Sequence, residues 1–218
     1  DGSNATIIGK KGGEFIADRN DIARVWMDHG VWPLLTLDLY INETGDFGIL
    51  FEKTTYFRDQ HILRSCEVDK SWGEQQGNKL KTLSGKIYAG SILEHLLIQN
   101  LVQFFNVGRH NHIRLEGADW NDGLDMAKEF GESAAFSAMY GQNLRILSDL
   151  LLRMGKRKVE VAGELRMLLT GINYSNIKAK QKILNDYFLK TKAGRRFVWS
   201  VLFGVTSARL QHALVRAR

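Results

Sequence analysis

Apolar residues recur at helical spacing along most of this chain, and the interruptions between them predict where its elements end. From Asp21 to Thr44 the apolar positions Ile22, Val25, Trp26, Val31, Trp32, Leu34, Leu35, Leu37, Leu39 and Ile41 predict a buried helix, with Pro33 placed to kink or restart it. Gly45 fits the left-handed position that ends a helix, and Asp46 then caps a short second helix, Phe47 to Phe57. Residues 58–87 are polar and uneven and are expected to form a long surface excursion. Ser91 to Val107 returns to helical periodicity through Leu93, Leu96, Leu97, Leu101 and Phe105. A loop from Gly108 to Asp125 comes next, and Glu132 to Met154 is helical through Phe136, Met139, Tyr140, Leu144, Leu147, Leu150 and Leu151, a spacing that reads as core packing. Further helices are expected at Val159 to Leu169, Tyr174 to Leu189 and Phe197 to Val215, making at least six, and no solenoid-type repeat is visible.

Composition agrees with an all-α class. The chain has 218 residues, 44% of them hydrophobic and 25% charged, enough apolar material for one substantial core in a soluble, globular chain. Its one proline suits long helices. Cys66 stands alone, so an internal disulfide, a CxxC pair and a multi-cysteine zinc site are excluded, and a reducing, cytoplasmic compartment is expected. Asp1 to Gly13 lacks the pattern of a signal peptide, and the longest uncharged stretch near the end, Phe197 to Ala208, is too short to cross a bilayer.

Net charge is +6, and Arg195, Arg196, Arg209, Arg216 and Arg218 supply +5 of it within residues 194–218, which hold no acidic residue. A solvated helix face is preferred over a nucleic-acid or lipid contact for this segment, because no nucleic-acid signature accompanies it. Lys156-Arg157-Lys158 reads as a solvated turn.

The chemistry concentrates in Gly117-Ala118-Asp119-Trp120-Asn121-Asp122-Gly123 and the nearby Asp125. Carboxylates beside an aromatic ring can grip a sugar and protonate its glycosidic oxygen. That proton transfer needs a carboxyl whose pKa is raised by burial or by a neighbouring carboxylate, and either Asp119 or Asp122 fits. The plain alternative is a tight turn anchored by a tryptophan. Calcium binding fails, because an EF-hand register from Asp119 puts Leu124 and Phe130 where glycine and glutamate are required. His110 and His112 have the look of a metal pair, yet nothing completes a ligand set, so no metal is assigned. Asp28 and Trp32, four apart on one helical face, are candidates to reach a sugar, although Trp32 reads first as a core residue.

The Asp-Trp-Asn-Asp-Gly loop resembles that of glycoside hydrolase family 94, the cellobiose, cellodextrin, chitobiose and β-1,2-oligoglucan phosphorylases. Gly131-Glu132-Ser133 is similar to the Gly-Glu-Ser that opens the family's next helix. Asp28-His29-Gly30-Val31-Trp32-Pro33 is similar to its Asp-Asp-x-x-Trp segment, followed by Tyr40 and Thr44-Gly45-Asp46, so the resemblance covers about Asp21 to Leu152. Ala118 stands where the family has glycine and Leu124 where it often has methionine.

This resemblance implies an (α/α)6 barrel, partial or complete, as a single domain over residues 1–218. The family's enzymes are longer, with β domains on either side of the barrel, so the chain is expected to be a fragment of the catalytic barrel. It further implies an inverting glycoside phosphorylase, a glycosyltransferase-type enzyme of carbohydrate metabolism. Asp122 would be the general acid, Trp120 the sugar platform and Asp119 a supporting residue, with Asn121, Asp28 and Trp32 as further substrate contacts. Inorganic phosphate would be co-substrate, with no other cofactor. Partners would be a β-linked gluco-oligosaccharide and phosphate, neither nucleic acid nor membrane, with a homodimer in the full-length enzyme. The alternatives are an inverting hydrolase, with Asp28 as one candidate base about 6.5–9.5 Å from the acid, and a catalytically silent carbohydrate-binding or helical module.

Overall fold

Pro33 starts a helix instead of kinking one. It lies in the first turn of α1 (Trp32–Thr44), where its missing N–H leaves no bond unmade. The computed structural model describes residues 1–3, 7–8, 15–16, 25–117, 121–127, 129–155, 157–169, 171–192, 195–196 and 198–203. The helix expected from Asp21 therefore begins at Trp32, and residues 25–31 form a bridge and tight turns, with the Val31 N–H donating to the Asp28 carbonyl. Gly45 ends α1 at φ 70°, its N–H donating to the Ile41 carbonyl, as the sequence requires of a left-handed stop.

Asp46 does act as a cap, accepting from the Gly48 N–H at 2.8 Å, but the element it starts is one 3-10 stretch, Phe47–Phe51. Strands replace the rest of that helix, and short ones punctuate the segment that follows. β1 (Ile7–Ile8) pairs with β2 (Phe15–Ile16), β3 (Lys53–Thr55) pairs with β7 (Ala89–Ser91), and β4 (His61–Ile62) pairs with β5 (Glu67–Val68), all antiparallel. β6 (Lys81–Thr82) pairs in parallel with β11 (Arg195–Arg196). Residues 58–87 run mostly along the surface, as expected, but Arg58, Ile62, Arg64 and Leu80 within them are buried. Arg58 is drawn inward by Asp69 at 2.7 Å and by the Trp72 ring at 4.3 Å.

The central element is α2 (Ile92–Phe105), started by Ser91, whose side chain accepts from the Glu94 N–H. It is buried on nearly every side, as expected of a helix apolar all round. Its leucines and Phe105 share one core with Leu144, Leu147 and Leu151 of α4 (Ala134–Arg153), Leu165 and Leu168 of α5 (Leu165–Leu168), and Leu184 and Tyr187 of α6 (Ile177–Thr191). Val159 and Val161 of β10 (Arg157–Ala162) complete it.

The all-α (α/α)6 barrel is thereby overturned: the fold is mixed α and β. Val159, Glu160 and Val161 alternate buried, exposed, buried, the period of a strand rather than a helix. β10 pairs antiparallel with β12 (Val198–Phe203) over six positions, from Arg157 opposite Phe203 to Ala162 opposite Val198. The helix expected at Val159 to Leu169 thus opens as a strand through Ala162, and the one expected at Phe197 to Val215 is a strand over Val198–Phe203. α5 is all the helix that remains of the former, residues 204–215 lie outside the described residues, and Arg157 belongs to a strand rather than a solvated turn. Among the described residues no helix is long and apolar enough to cross a membrane.

Candidate functional site

The Gly117–Gly123 loop grows from a short hairpin. β8 (Ile113–Arg114) pairs with β9 (Glu132–Ser133), and the Leu115 N–H donates to the Gly131 carbonyl. At Glu116 the backbone turns left-handed, φ 54°, and the Gly117 N–H then donates to the Val25 carbonyl at 3.0 Å. Trp26 bridges to both Glu116 and Gly117. Only glycine fits there, since a Cβ on residue 117 would lie 2.9 Å from the Val25 carbonyl oxygen.

Glu116 is gripped from two sides. Arg64 donates to it through Nε at 2.7 Å and Nη2 at 2.6 Å, and Gln103 of α2 through Nε2 at 3.1 Å. Burial pulls the Arg64 pKa down, and the Glu116 carboxylate more than reverses it, so the guanidinium is held charged.

The far end of the loop rests on the same surface. Asn121 caps α3 (Asp122–Asp125), accepting from the Leu124 N–H through Oδ1 at 3.2 Å and from the Asp125 N–H through its carbonyl at 3.0 Å. Leu124, just past the motif, packs against the cluster formed by Met27, Val31, Ile113, Leu115 and Tyr140. Gly117 therefore docks on Val25 and Trp26, and Leu124 joins the cluster that includes Met27 and Val31. Ala118, Asp119 and Trp120 lie outside the described residues, as does the side chain of Asp122, although the Asp122 backbone opens α3. Asn121 is exposed, and its Oδ1 is engaged as a helix cap.

Asp28 and Trp32 stand together beside this platform. The Trp32 indole N–H donates to Asp28 Oδ2 at 3.3 Å. Trp32 is 48% exposed, so the core role expected for it is wrong: it comes after a turn and projects from the first residue of α1. Among the described residues, neither the buried Asp28 Oδ1 nor the buried indole N–H of Trp26 has a hydrogen-bond partner. Burial pushes the His29 pKa down against the opposing pull of Asp28, and its ring lies 4.7 Å from that of Trp26. Burial likewise pushes the Tyr140 phenol well up, and it donates to the Met27 carbonyl. An exposed indole face with a carboxylate hydrogen-bonded to its N–H is suited to a polyhydroxylated ligand.

His110 and His112 lie in the turn between Val107 and Ile113. The Glu132 carboxylate accepts from the backbone N–H groups of both and lies 3.0 Å from His110 Nδ1, so it clasps the turn. Among the described residues no three His, Cys, Asp or Glu side chains group as metal ligands would. Arg64, Gln103 and Glu116, which moor the loop, carry no local signal: Arg64 and Glu116 are 52 positions apart, and Arg64 falls in a segment whose polarity suggests surface. No protein family matches the chain, and no curated protein matches it.

Proposed function

We propose that the chain carries the acid loop of an inverting glycoside phosphorylase acting on a β-linked gluco-oligosaccharide in the cytoplasm. Asp122 donates its proton to the glycosidic oxygen as the bond from that oxygen to the anomeric carbon breaks. An oxygen of inorganic phosphate attacks the anomeric carbon from the opposite face, and a sugar 1-phosphate of inverted configuration leaves. Trp120 stacks on the transferred sugar, Asp119 supports the acid, and Asp28 and Trp32 hold hydroxyl groups of the same substrate. The observation that carries this reading is the docking of Gly117 onto Val25 and Trp26, which brings together the two sequence segments that resemble the phosphorylases.

The test is incubation with β-1,2-, β-1,3- and β-1,4-linked gluco-oligosaccharides, with and without phosphate. Phosphate-dependent release of sugar 1-phosphate, lost in Asp122→Asn, is the expected result. Phosphate-independent release supports a hydrolase, and binding without turnover supports a silent carbohydrate-binding module; either outcome overturns the phosphorylase.

A further inference from the structure

Left-handed non-glycine residues gather in two segments of the described residues that meet at the root of the acidic motif. Leu63, Arg64 and Ser65 run consecutively left-handed, at φ 52°, 55° and 62°, and Glu116 is left-handed at 54°. Side chains disfavour that region, so such residues persist only where their surroundings hold them. Here the two strained segments hold each other through the paired Arg64 to Glu116 bonds, with Gln103 as a third point.

Arg64 is held from behind as well. Its backbone N–H donates to Asp1 Oδ2 at 2.9 Å, and the turn closes through the Cys66 N–H onto the Leu63 carbonyl at 3.2 Å. Gln103 Nε2 also reaches the Met27 carbonyl at 3.3 Å, so the same amide ties Glu116 to the platform under the loop.

A buried ion pair of this kind is a poor device for stability, since desolvation offsets the attraction and an apolar pair of similar volume serves as well. What it supplies is direction. A two-pronged guanidinium to carboxylate contact fixes the plane and register of its partner as few other contacts do. Glu116 is the residue from which the Gly117–Gly123 loop departs.

We propose that Arg64, acting through Glu116, is a positioning residue that aims the root of the acidic loop. This rests on the phosphorylase reading for its consequence in turnover, but not for its consequence in loop order. Removing the contact lets Glu116 leave its left-handed conformation and frees Gly117 from Val25, so the loop samples orientations in which its acid does not meet the glycosidic oxygen.

The experiment compares the whole chain with Arg64→Met/Glu116→Gln, which removes the contact without stranding a buried charge. Hydrogen exchange is followed in a peptide spanning Leu115 to Ala127 and in α4, beside kcat and KM for phosphorolysis. Expected are exchange at least about tenfold faster in the loop peptide and unchanged in α4, with kcat down about tenfold or more and KM nearly unchanged. If the double variant does not fold, Arg64→Lys, which keeps the charge but not the paired bonds, is read by the same measurements. Unchanged loop exchange overturns the proposal whether or not the chain turns over sugar. Faster exchange with full kcat overturns it too. A wild-type chain that releases no sugar 1-phosphate sinks the phosphorylase reading alone, and loop exchange then decides the role of Arg64.

Discussion

The side-chain amide of Asn143, in the middle of α4, donates to Asn100 Oδ1 of α2 at 2.9 Å and to the Val31 carbonyl at 3.1 Å. Asn100 in turn donates to the Leu96 carbonyl at 2.9 Å. One buried polar chain therefore ties α2, α4 and the residue before α1 together, and the segment bearing Asp28 is held by it.

Asn143→Ala leaves the Asn100 oxygen and the Val31 carbonyl without this donor in a dry interior. Stranded acceptors cost more than the net worth of the bonds, so a loss of about 2–3 kcal/mol is expected in urea unfolding. Asn143→Asp is worse, since it aims a carboxylate at two oxygens. An Ala variant as stable as the wild type would show that the chain contributes nothing.

Gly117→Ala tests the mooring of the loop. The added methyl would stand 2.9 Å from the Val25 carbonyl oxygen and 3.2 Å from Trp26 Cδ1, and a backbone oxygen cannot swing aside as the end of a long side chain can. The bridge between Trp26 and Gly117 must open, at a cost of about 1–3 kcal/mol by the usual measure of overpacking. Denaturation midpoints read the cost. A midpoint equal to that of wild type means that residues 25–26 and 117 are not in contact in solution.

The parts of this fold visible in the sequence are those specified by near neighbours. α2 and α4 were legible because leucines recur along a face and because Ser91 and Ser133 stand at their starts, each accepting from the N–H three residues on. Gly45 was legible for the same local reason. β10 was not: its three-residue alternation is embedded among helical stretches, and the partner that makes it a strand, β12, begins 36 positions after it ends. The barrel expectation came from resemblance and fell with those strands. In the site, the motif and the Asp28 to Trp32 pair stand out as sequence, whereas their mooring by Arg64 and Gln103 exists only once distant segments meet.

Glu132 gives the chain a specific weakness toward acid. Burial raises its pKa, but the backbone N–H groups of His112 and His110 and the His110 ring outweigh that, and the carboxyl is held below its ordinary 4.5. A depressed folded pKa means that the stabilisation is complete above about 4.5 and is lost as pH falls through the lower folded value. Glu132→Gln should therefore be less stable at neutral pH, with a shallower decline below pH 4.5 than the wild type. Parallel acid limbs for the two proteins would remove Glu132 from the account.

Lys180 also makes stability rise with pH, but by burdening the folded chain at neutral pH instead of supporting it. It is 3% exposed on α6, with its ammonium 3.1 Å from Asn111 Oδ1 and 4.0 Å from the centre of the Phe104 ring, and among the described residues no carboxylate pairs with it. Burial lowers its pKa from 10.5 to about 8. Below about pH 8 both folded and unfolded chains carry the proton, and the folded state bears the whole cost of the buried charge. Between about 8 and 10.5 the unfolded state binds more protons than the folded one, so this site makes stability rise with pH, and above 10.5 the cost is gone. The shift corresponds to about 3 kcal/mol at neutral pH. Lys180→Met forgoes the bond to Asn111 and the contact with Phe104 but removes that cost, so a gain of about 1–3 kcal/mol is expected at pH 7, falling by about 3 kcal/mol as the pH rises past 10.5. The comparison is the difference in unfolding free energy between variant and wild type across that range. A variant less stable at pH 7, or a difference that does not change between pH 8 and 10.5, would show that the amine is solvated in the folded chain.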